Sequence, residues 1–498
     1  MSAADYSPSP SRAPAPIRWL KHAADELGLS AVYRSSTDTK CLLTQRFARL
    51  FAYGGTTLAF VAYLSALDIS DSRIGLFMTL TIAGDVLISF LLTLFADGLG
   101  RRTVLLLGAA LMVASGVVFA LSGNYWVLLV AAILGVISPS GAEIGPFRAI
   151  EESTLAHLTP PADRSDIFAW YNLIGVAGSA FGLMASGWAL DALEQAKGWD
   201  PLRAYRAVFY AYAAIGALKF GLALLLSERI EVKQVRERSS GPASETTALL
   251  GTHAGIGSLA TTSRPKFQKL KDLLPRITPA SRAIFIQLAV LFAIDSFASG
   301  LASLSWVITF FQRKFDMPVG QLGSLFFTAS LIAAASTLVS SSIARRIGNI
   351  KTMAFTHLPS SVALALIPVP QTLRGAMIPL LIRHSLSLMD VAPRSAFLAA
   401  VVLPHERTAV MGAINVVKTS AQSIGPLITG VLVGYDLFWV AFVAAGALKG
   451  MYDIGILVTF VGHQPREEEL AEGGDDLQHR RQEDGDSTED AVNSEISN

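Results

Sequence analysis

Cysteine, charge and cofactor-binding motifs are what this chain has least of. Its 498 residues include one cysteine, Cys41, so no internal disulfide framework exists. Only 16% of residues are charged, against roughly a quarter in soluble domains. A formal net charge of +1 offers nucleic acid no basic face. No Gly-x-x-x-x-Gly-Lys-Ser/Thr loop is present to cradle a triphosphate, so ATP drive is unsupported. Cys and His nowhere gather at metal-ligand spacing, and there is no His-Glu-x-x-His run. No cofactor, no metal and no enzymatic activity are therefore expected. Asn-x-Ser/Thr acceptors are absent too. The first 45 residues lack the apolar core of a signal peptide.

What remains is apolar. The chain is 52% hydrophobic, with a mean hydropathy of +0.46. A bilayer-spanning helix needs about 20 mostly apolar residues. Twelve such stretches lie near 49–67, 74–96, 103–122, 126–150, 167–190, 205–227, 283–311, 321–343, 352–369, 375–398, 409–434 and 437–461. The expected plan is an all-α membrane protein. A cytosolic tail (1–45) precedes a six-helix bundle (46–227), a cytosolic linker (228–282), a second six-helix bundle (283–462) and an acidic cytosolic tail (463–498). Basic residues set the orientation. Arg101, Arg102, Arg345, Arg346, Lys351 and the linker's ten Lys/Arg against five Asp/Glu alternate with bare turns such as Ser122–Tyr125. Positive charge stays in the cytosol, which places both termini there. Ile17, Leu20, Ala24 and Leu27 recur at helical spacing and fit either a surface helix or a weakly ordered tail. The tail from Gln464, with twelve acidic and three basic residues, reads as disordered.

The two halves repeat each other. Asp68, Gly75 and Gly100 match Asp316, Gly323 and Gly348 at an offset of 248. An offset of 243 pairs Asp163-Arg164 with Glu406-Arg407, Asn172 with Asn415, Gly182 with Gly425 and Gly187 with Gly430. Gly216-Ala-Leu-Lys219 recurs as Gly446-Ala-Leu-Lys449. Parallel repeats of this kind build secondary transporters that bind solute between their halves.

With these repeats, Asp97-Gly-Leu-Gly100-Arg101-Arg102 between the second and third stretches resembles the hinge motif of the major facilitator superfamily. The resemblance covers roughly residues 45–462. Thr93 and Gly98 depart from the motif's first glycine and first basic position. Gly175, Gly178, Gly182 and Gly187 in the fifth stretch bring the proton-coupled drug-efflux branches closest, although their Gly-Pro stands instead in the eleventh stretch, as Gly425-Pro426. The resemblance implies two pseudo-symmetric six-helix bundles and an alternating-access carrier. Asp97, Gly100, Arg101 and Arg102 would gate it, with Arg164 and Arg407 in the matching loops.

Buried ionisable residues are the candidates for chemistry. A charge at membrane depth costs roughly 2.5–3.5 kcal/mol on insertion scales, so it faces a partner or a water-filled cavity. Glu143 precedes Pro146 by three residues and Asp390 precedes Pro393 likewise. Arg383, Ser387, Asp390 and Arg394 fall on one helical stripe, and Arg148 can pair with Glu151 or Glu152. Glu143, Arg148, Arg383, Asp390 and Arg394 are the cavity candidates. Internal ion pairing without contact to solute is the competing reading. Asp295 and Asp85 stand in apolar runs. A carboxylate with no neighbouring charge there readily takes up and releases a proton, so both are coupling candidates. Each could instead only fix helix packing. Lys219 and Lys449 fit structural pairing, with Asp453 at i+4 from Lys449. Lys418 could meet Asp97 or an anionic solute. Tyr53, Trp170, Tyr171, Trp306, Phe310 and Phe311 fit a pocket or interfacial belts.

The expected function is proton-coupled efflux of a small organic solute. An uptake carrier for a sugar or organic anion, and a transport-dead receptor-like protein, stay open. The expected partners are the lipid bilayer, the solute and protons, and the expected state is a monomer. The plasma membrane is the expected location. Glu245-Thr-Thr-Ala-Leu249-Leu250 fits an acidic dileucine signal for a vacuolar or lysosomal membrane.

Overall fold

The computed structural model describes residues 28–135, 137, 146–231, 279–403 and 406–461. Glu143, the stretch around Ile17 to Leu27, most of the linker with its Glu245–Leu250 motif, and the acidic tail lie outside the described residues. No strand is present among those that are described.

A short helix, Leu29–Arg34, leads into twelve crossings. The first six are α1 (Thr37–Ala66), α2 (Asp71–Leu99), α3 (Arg101–Leu121), α4 in two pieces (α4a Tyr125–Leu134 and α4b Pro146–Leu158), α5 (Arg164–Asp191) and α6 (Pro201–Leu224). The second six are α7 (α7a Pro279–Leu301 and α7b Leu304–Phe315), α8 (Val319–Ile347), α9 (Asn349–Leu366), α10 (α10a Leu373–Ser387 and α10b Val391–Val401), α11 (Arg407–Gly434) and α12 (Phe438–Phe460). Helix α1 starts at Thr37, nine residues before the bundle boundary expected at 46. Crossings α1, α3, α5, α6, α7, α8, α11 and α12 are long and apolar enough to span a bilayer by themselves. The other four are the acid-bearing α2, the interrupted α4 and α10, and α9 with its internal Pro359. A proline accompanies the interruption of α10: Pro393 sits in the first turn of α10b, where a missing N–H costs nothing.

The repeat seen in the sequence is a repeat in geometry. Asp68 and Asp316 both take left-handed backbone, with φ of 59° and 49°, at the ends of α1 and α7b. Gly100 and Gly348 precede α3 and α9 with φ of 84° and 85°, which L side chains rarely adopt. Within each half, glycine lets backbones touch. A Cβ on Gly182 of α5 would stand 2.0 Å from the Phe51 carbonyl oxygen of α1. Its mate, Gly425 of α11, would place one 2.3 Å from the Gly300 carbonyl carbon of α7a.

The same glycine logic joins the halves. Gly75 of α2 lies against Pro426 and Gly430 of α11, and Gly187 of α5 lies against Val319 and Gly320 of α8. Gly323 of α8 meets Leu183 of α5. Around these crossings Leu427 N–H donates to Thr79 Oγ1 (3.1 Å), Gly320 N–H to Asp191 Oδ2 (2.9 Å), and Ser305 Oγ to the Thr57 carbonyl (3.1 Å). Arg313 of α7b grips Asp71 of α2 through two N–H groups at 2.9 and 2.7 Å. All these contacts lie toward the face formed by the α1–α2, α5–α6, α7–α8 and α11–α12 turns, here called the distal face. The Phe181–Phe327 ring contact at 5.1 Å is the deepest along α5, about 15 Å of helix from Asp191. One hydrophobic core spans both halves on the distal side, from Phe60, Phe77 and Phe119 to Trp306, Phe310 and Phe442. Toward the opposite, terminal face the core divides. One cluster around Leu42, Tyr171 and Ile230 belongs to the first half, and another around Phe292, Phe397 and Tyr452 to the second. Among the described residues, contacts between the halves close the distal side, and the terminal side holds two separate clusters, one in each half.

Candidate substrate and coupling site

Each half holds a buried charge cluster. In the first half, Arg49 of α1 donates to Glu151 Oε2 of α4b at 2.6 Å. Tyr171 of α5 donates to the same oxygen at 2.8 Å, and Lys219 of α6 lies 3.6 Å from Oε1. Arg46, one turn before Arg49, donates to Tyr171 Oη at 3.2 Å and lies 4.2 Å from that ring's centre. In the second half, Lys449 of α12 donates to Asp295 Oδ1 of α7a at 2.6 Å and to Ser299 Oγ at 2.7 Å. Arg394 of α10b lies 3.5 Å from Asp295 Oδ2 and also pairs with Asp390. Behind them His357 of α9 meets Asp453 of α12 at 2.8 Å, and Ser361 donates to the same carboxylate at 3.1 Å. Four-way sharing of this kind is how membrane-depth charges are tolerated.

The clusters are mirror images with charges exchanged. Arg49 and Asp295 stand 246 positions apart, Glu151 and Arg394 243 apart. Where the first half has Arg on α1 and Glu on α4, the second has Asp on α7 and Arg on α10. A lysine from the sixth helix of each half, Lys219 or Lys449, completes the set.

Several expectations change in this light. Asp295 is not alone: its own helix offers no base, but α10 and α12 each bring one. Lys449 turns to Asp295 rather than to Asp453 in its own helix. Of the two coupling candidates, Asp85 is the carboxylate that has no cation in contact among the described residues. It is 7% exposed, and its Oδ1 is buried with no hydrogen-bond partner. Arg148 takes the second of its two expected partners, Glu152, at 2.7 Å on a half-exposed surface. The expected stripe on α10 is interrupted, because Leu388 to Asp390 separate α10a from α10b and Asp390 becomes the residue before α10b. Arg383 donates to Ser360 Oγ of α9 at 2.7 Å. Trp306, Phe310 and Phe311 are buried in the shared distal core, and Phe310 also lines a distal pocket with Asp71, Arg313 and Lys314.

Residues 42–426 match the profile of the Major Facilitator Superfamily. The chain belongs to that superfamily. It is 36% identical over 432 residues to the uncharacterized membrane protein YJR124C of Saccharomyces cerevisiae, spanning 86% of this chain and 95% of that one. The structure of nucleoside transporter NupG superposes with a TM-score of 0.61 at 14% identity, over 86% of this chain and 100% of that one. A D-xylose-proton symporter superposes with a TM-score of 0.62 at 14% identity, over 84% and 96%. This chain is thus a multi-pass membrane transport protein and not an enzyme. Solved relatives share its fold while being named for different cargoes, so cargo has to be argued from side chains.

The hinge residues gather at the terminal face. Asp97 lies in the last turns of α2, and its side chain is outside the described set, as is that of Arg407, the first residue of α11. The backbone N–H groups of Arg101 and Arg102 are capped by Glu231, at 2.8 and 2.9 Å. A carboxylate at a helix N-terminus is favoured by the helix dipole. Arg102 donates to the Leu224 carbonyl at 2.5 Å, and Arg164 to that of Ala156 at 3.0 Å. These arginines hold their own half together. Asp38 reinforces the same corner, accepting from Ser227 N–H (2.9 Å) and Oγ (2.5 Å).

Sequence reasoning missed Arg46, Arg49 and Glu231. The two arginines were assigned to the edge of a span because α1 was started twelve residues late. Their i,i+3 spacing and Glu151 opposite were the available signal. Nothing in the sequence marked Glu231 as the cap of a helix that starts 130 residues earlier.

Proposed function

We propose that this protein exports a small organic solute in exchange for protons, by alternating access about the two midplane clusters. The observation that carries this is the single distal core beside two divided terminal cores. Such a molecule presents its midplane to one side, and reaches the other side by rocking the halves about their glycine crossings. Arg101, Arg102, Arg345, Arg346 and Lys351 all sit at the terminal face, so that face belongs in the cytosol. Solute would then load from the cytosol, at the plasma membrane by default. The protein works as a monomer, since each six-helix half finds its partner in the same chain.

Proton coupling is assigned to Asp85 and Asp295 in different roles. Asp85 has no counter-charge in contact among the described residues and is the proton carrier. Asp295 holds Lys449 and Arg394, and a proton on it would release both. Similar folds do couple cargo to protons, as the name of the xylose symporter states.

Export into the lumen of inside-out proteoliposomes, driven by a pH gradient, tests the assignment. Asp85→Asn should retain solute exchange and lose uphill movement. Asp295→Asn should lose uphill movement and also melt at lower temperature, because two buried cations lose their carboxylate. Gradient-driven accumulation at the parent level by both variants would remove proton coupling at these sites.

A further inference from the structure

The second half holds more buried positive charge than it balances. At the level of Asp295, α10, α11 and α12 bring four cations: Arg383, Arg394, Lys418 and Lys449. Three carboxylates answer them. Asp295 is shared between Lys449 and Arg394, Asp390 is taken by Arg394, and Asp453 by His357 and Ser361. Among the described residues, Arg383 and Lys418 are left without a carboxylate in contact. Arg383 has only the neutral Ser360 hydroxyl, at 2.7 Å. Among the described residues the Lys418 ammonium makes neither hydrogen bond nor ion pair, and it lies 5.5 Å from the centre of the Phe292 ring. Arg394 lies 5.6 Å from the centre of the same ring. Arg383 and Lys418 are both half-buried and within coulombic range of Asp295.

Their position decides what the surplus is for. Phe292 and Tyr452 belong to the core of the second half on the terminal side, where each half keeps its own cluster. Lys449, which is buried, has a carboxylate in contact, and the half-buried Arg383 and Lys418 do not have one among the described residues. A cation left half-buried there is costly until something negative arrives. Three donors of two kinds, two planar guanidinium forks and one ammonium, suit a carboxylate or another compact monoanion.

From this we infer that the exported solute is an organic monoanion, whose charged group is held by Arg383, Arg394 and Lys418. This rests on the transport reading and specifies its cargo. A neutral solute would leave the fourth cation unbalanced, and a cationic solute would add a fifth.

Three probes of one shape and different charge test it: benzoate, benzamide and benzylamine, each titrated to millimolar concentration. The full-length protein in nanodiscs is melted with each. Benzoate should raise the melting temperature saturably, and the other two should not. Lys418→Gln and Arg383→Gln should each weaken benzoate binding about tenfold, while Lys418→Arg keeps it near the parent value. The ligand-free melting curves of these variants show that each is folded. Equal shifts with benzamide, no shift with any probe, or undiminished benzoate binding by both Gln variants would overturn the inference. Benzoate counterflow in proteoliposomes separates the two claims. Specific benzoate binding without counterflow keeps the anion site and removes transport. Benzamide counterflow at the benzoate rate keeps transport and removes the anion site.

Discussion

A single methyl group at position 75 should turn the molecule inside out. In the distally closed state a Cβ on Gly75 would stand 2.5 Å from the Pro426 carbonyl oxygen, 3.0 Å from Gly430 Cα and 3.1 Å from Leu427 Cα. All three are backbone atoms, which cannot rotate aside. Forcing a methyl into a packed contact costs about 1–3 kcal/mol. The clash exists only while α2 and α11 cross here, so the whole penalty falls on one of the two states. That amounts to about a five- to 150-fold shift in their ratio, toward the state open on the distal face. Spin labels on Lys197 and Gln371, exposed residues of the α5–α6 and α9–α10 turns, report the distal opening in a Cys41→Ser background. Gly75→Ala should move the distance distribution outward and slow net transport. Gly182→Ala is the control. Its Cβ would stand 2.0 Å from the Phe51 carbonyl, but inside one half, so it should lower the melting temperature and leave the distance alone. If Gly75→Ala keeps the parent distances and rate, the glycine crossings are not the pivot.

Glu151→Gln should be among the most damaging single changes, because Arg49 and Lys219 lose their shared carboxylate. About 3–5 kcal/mol of stability should go, read as a collapse of the monodisperse peak on size exclusion. Glu231→Gln should cost only about 0.3–1 kcal/mol, the charge part of an N-terminal cap, and the melting difference from the parent should shrink as salt is raised.

The architecture was legible because membrane helices announce themselves by length and apolarity, and because duplication writes the same geometry twice. Gly75 with Gly323, and Gly187 with Gly430, were visible as repeat mates. Both pairs proved to be where the halves cross, since only a missing Cβ lets backbones meet. The partners of buried charges were less legible. Asp295 looked isolated along its own helix, yet its cations come from residues 394 and 449, and no periodicity links those positions. Asp85 could not be told from Asp295 for the same reason. Interruptions were half legible. The matching prolines at 146 and 393 were visible, but not that α10 would break at Leu388 to Asp390, nor that α7 would divide at Ala302 and Ser303. The roles of Glu231 and Asp38 depend on where the chain returns after α6, which is a property of the assembled half.

At the closest points of the crossings between halves backbone meets glycine, and that bears on how such proteins diversify. A joint made of glycine against carbonyl recognises thinness rather than identity. The residues assigned to cargo lie deeper: Arg383 and Arg394 stand on α10, and Lys418 shares α11 with Gly430 twelve residues away from it. A half from a distant relative with small residues at the places of Gly75, Gly187, Gly323 and Gly430 would dock on this one without redesign. Cargo preference and the pivot are therefore inherited separately, and chimeras of halves offer a direct route to new specificities on an unaltered hinge.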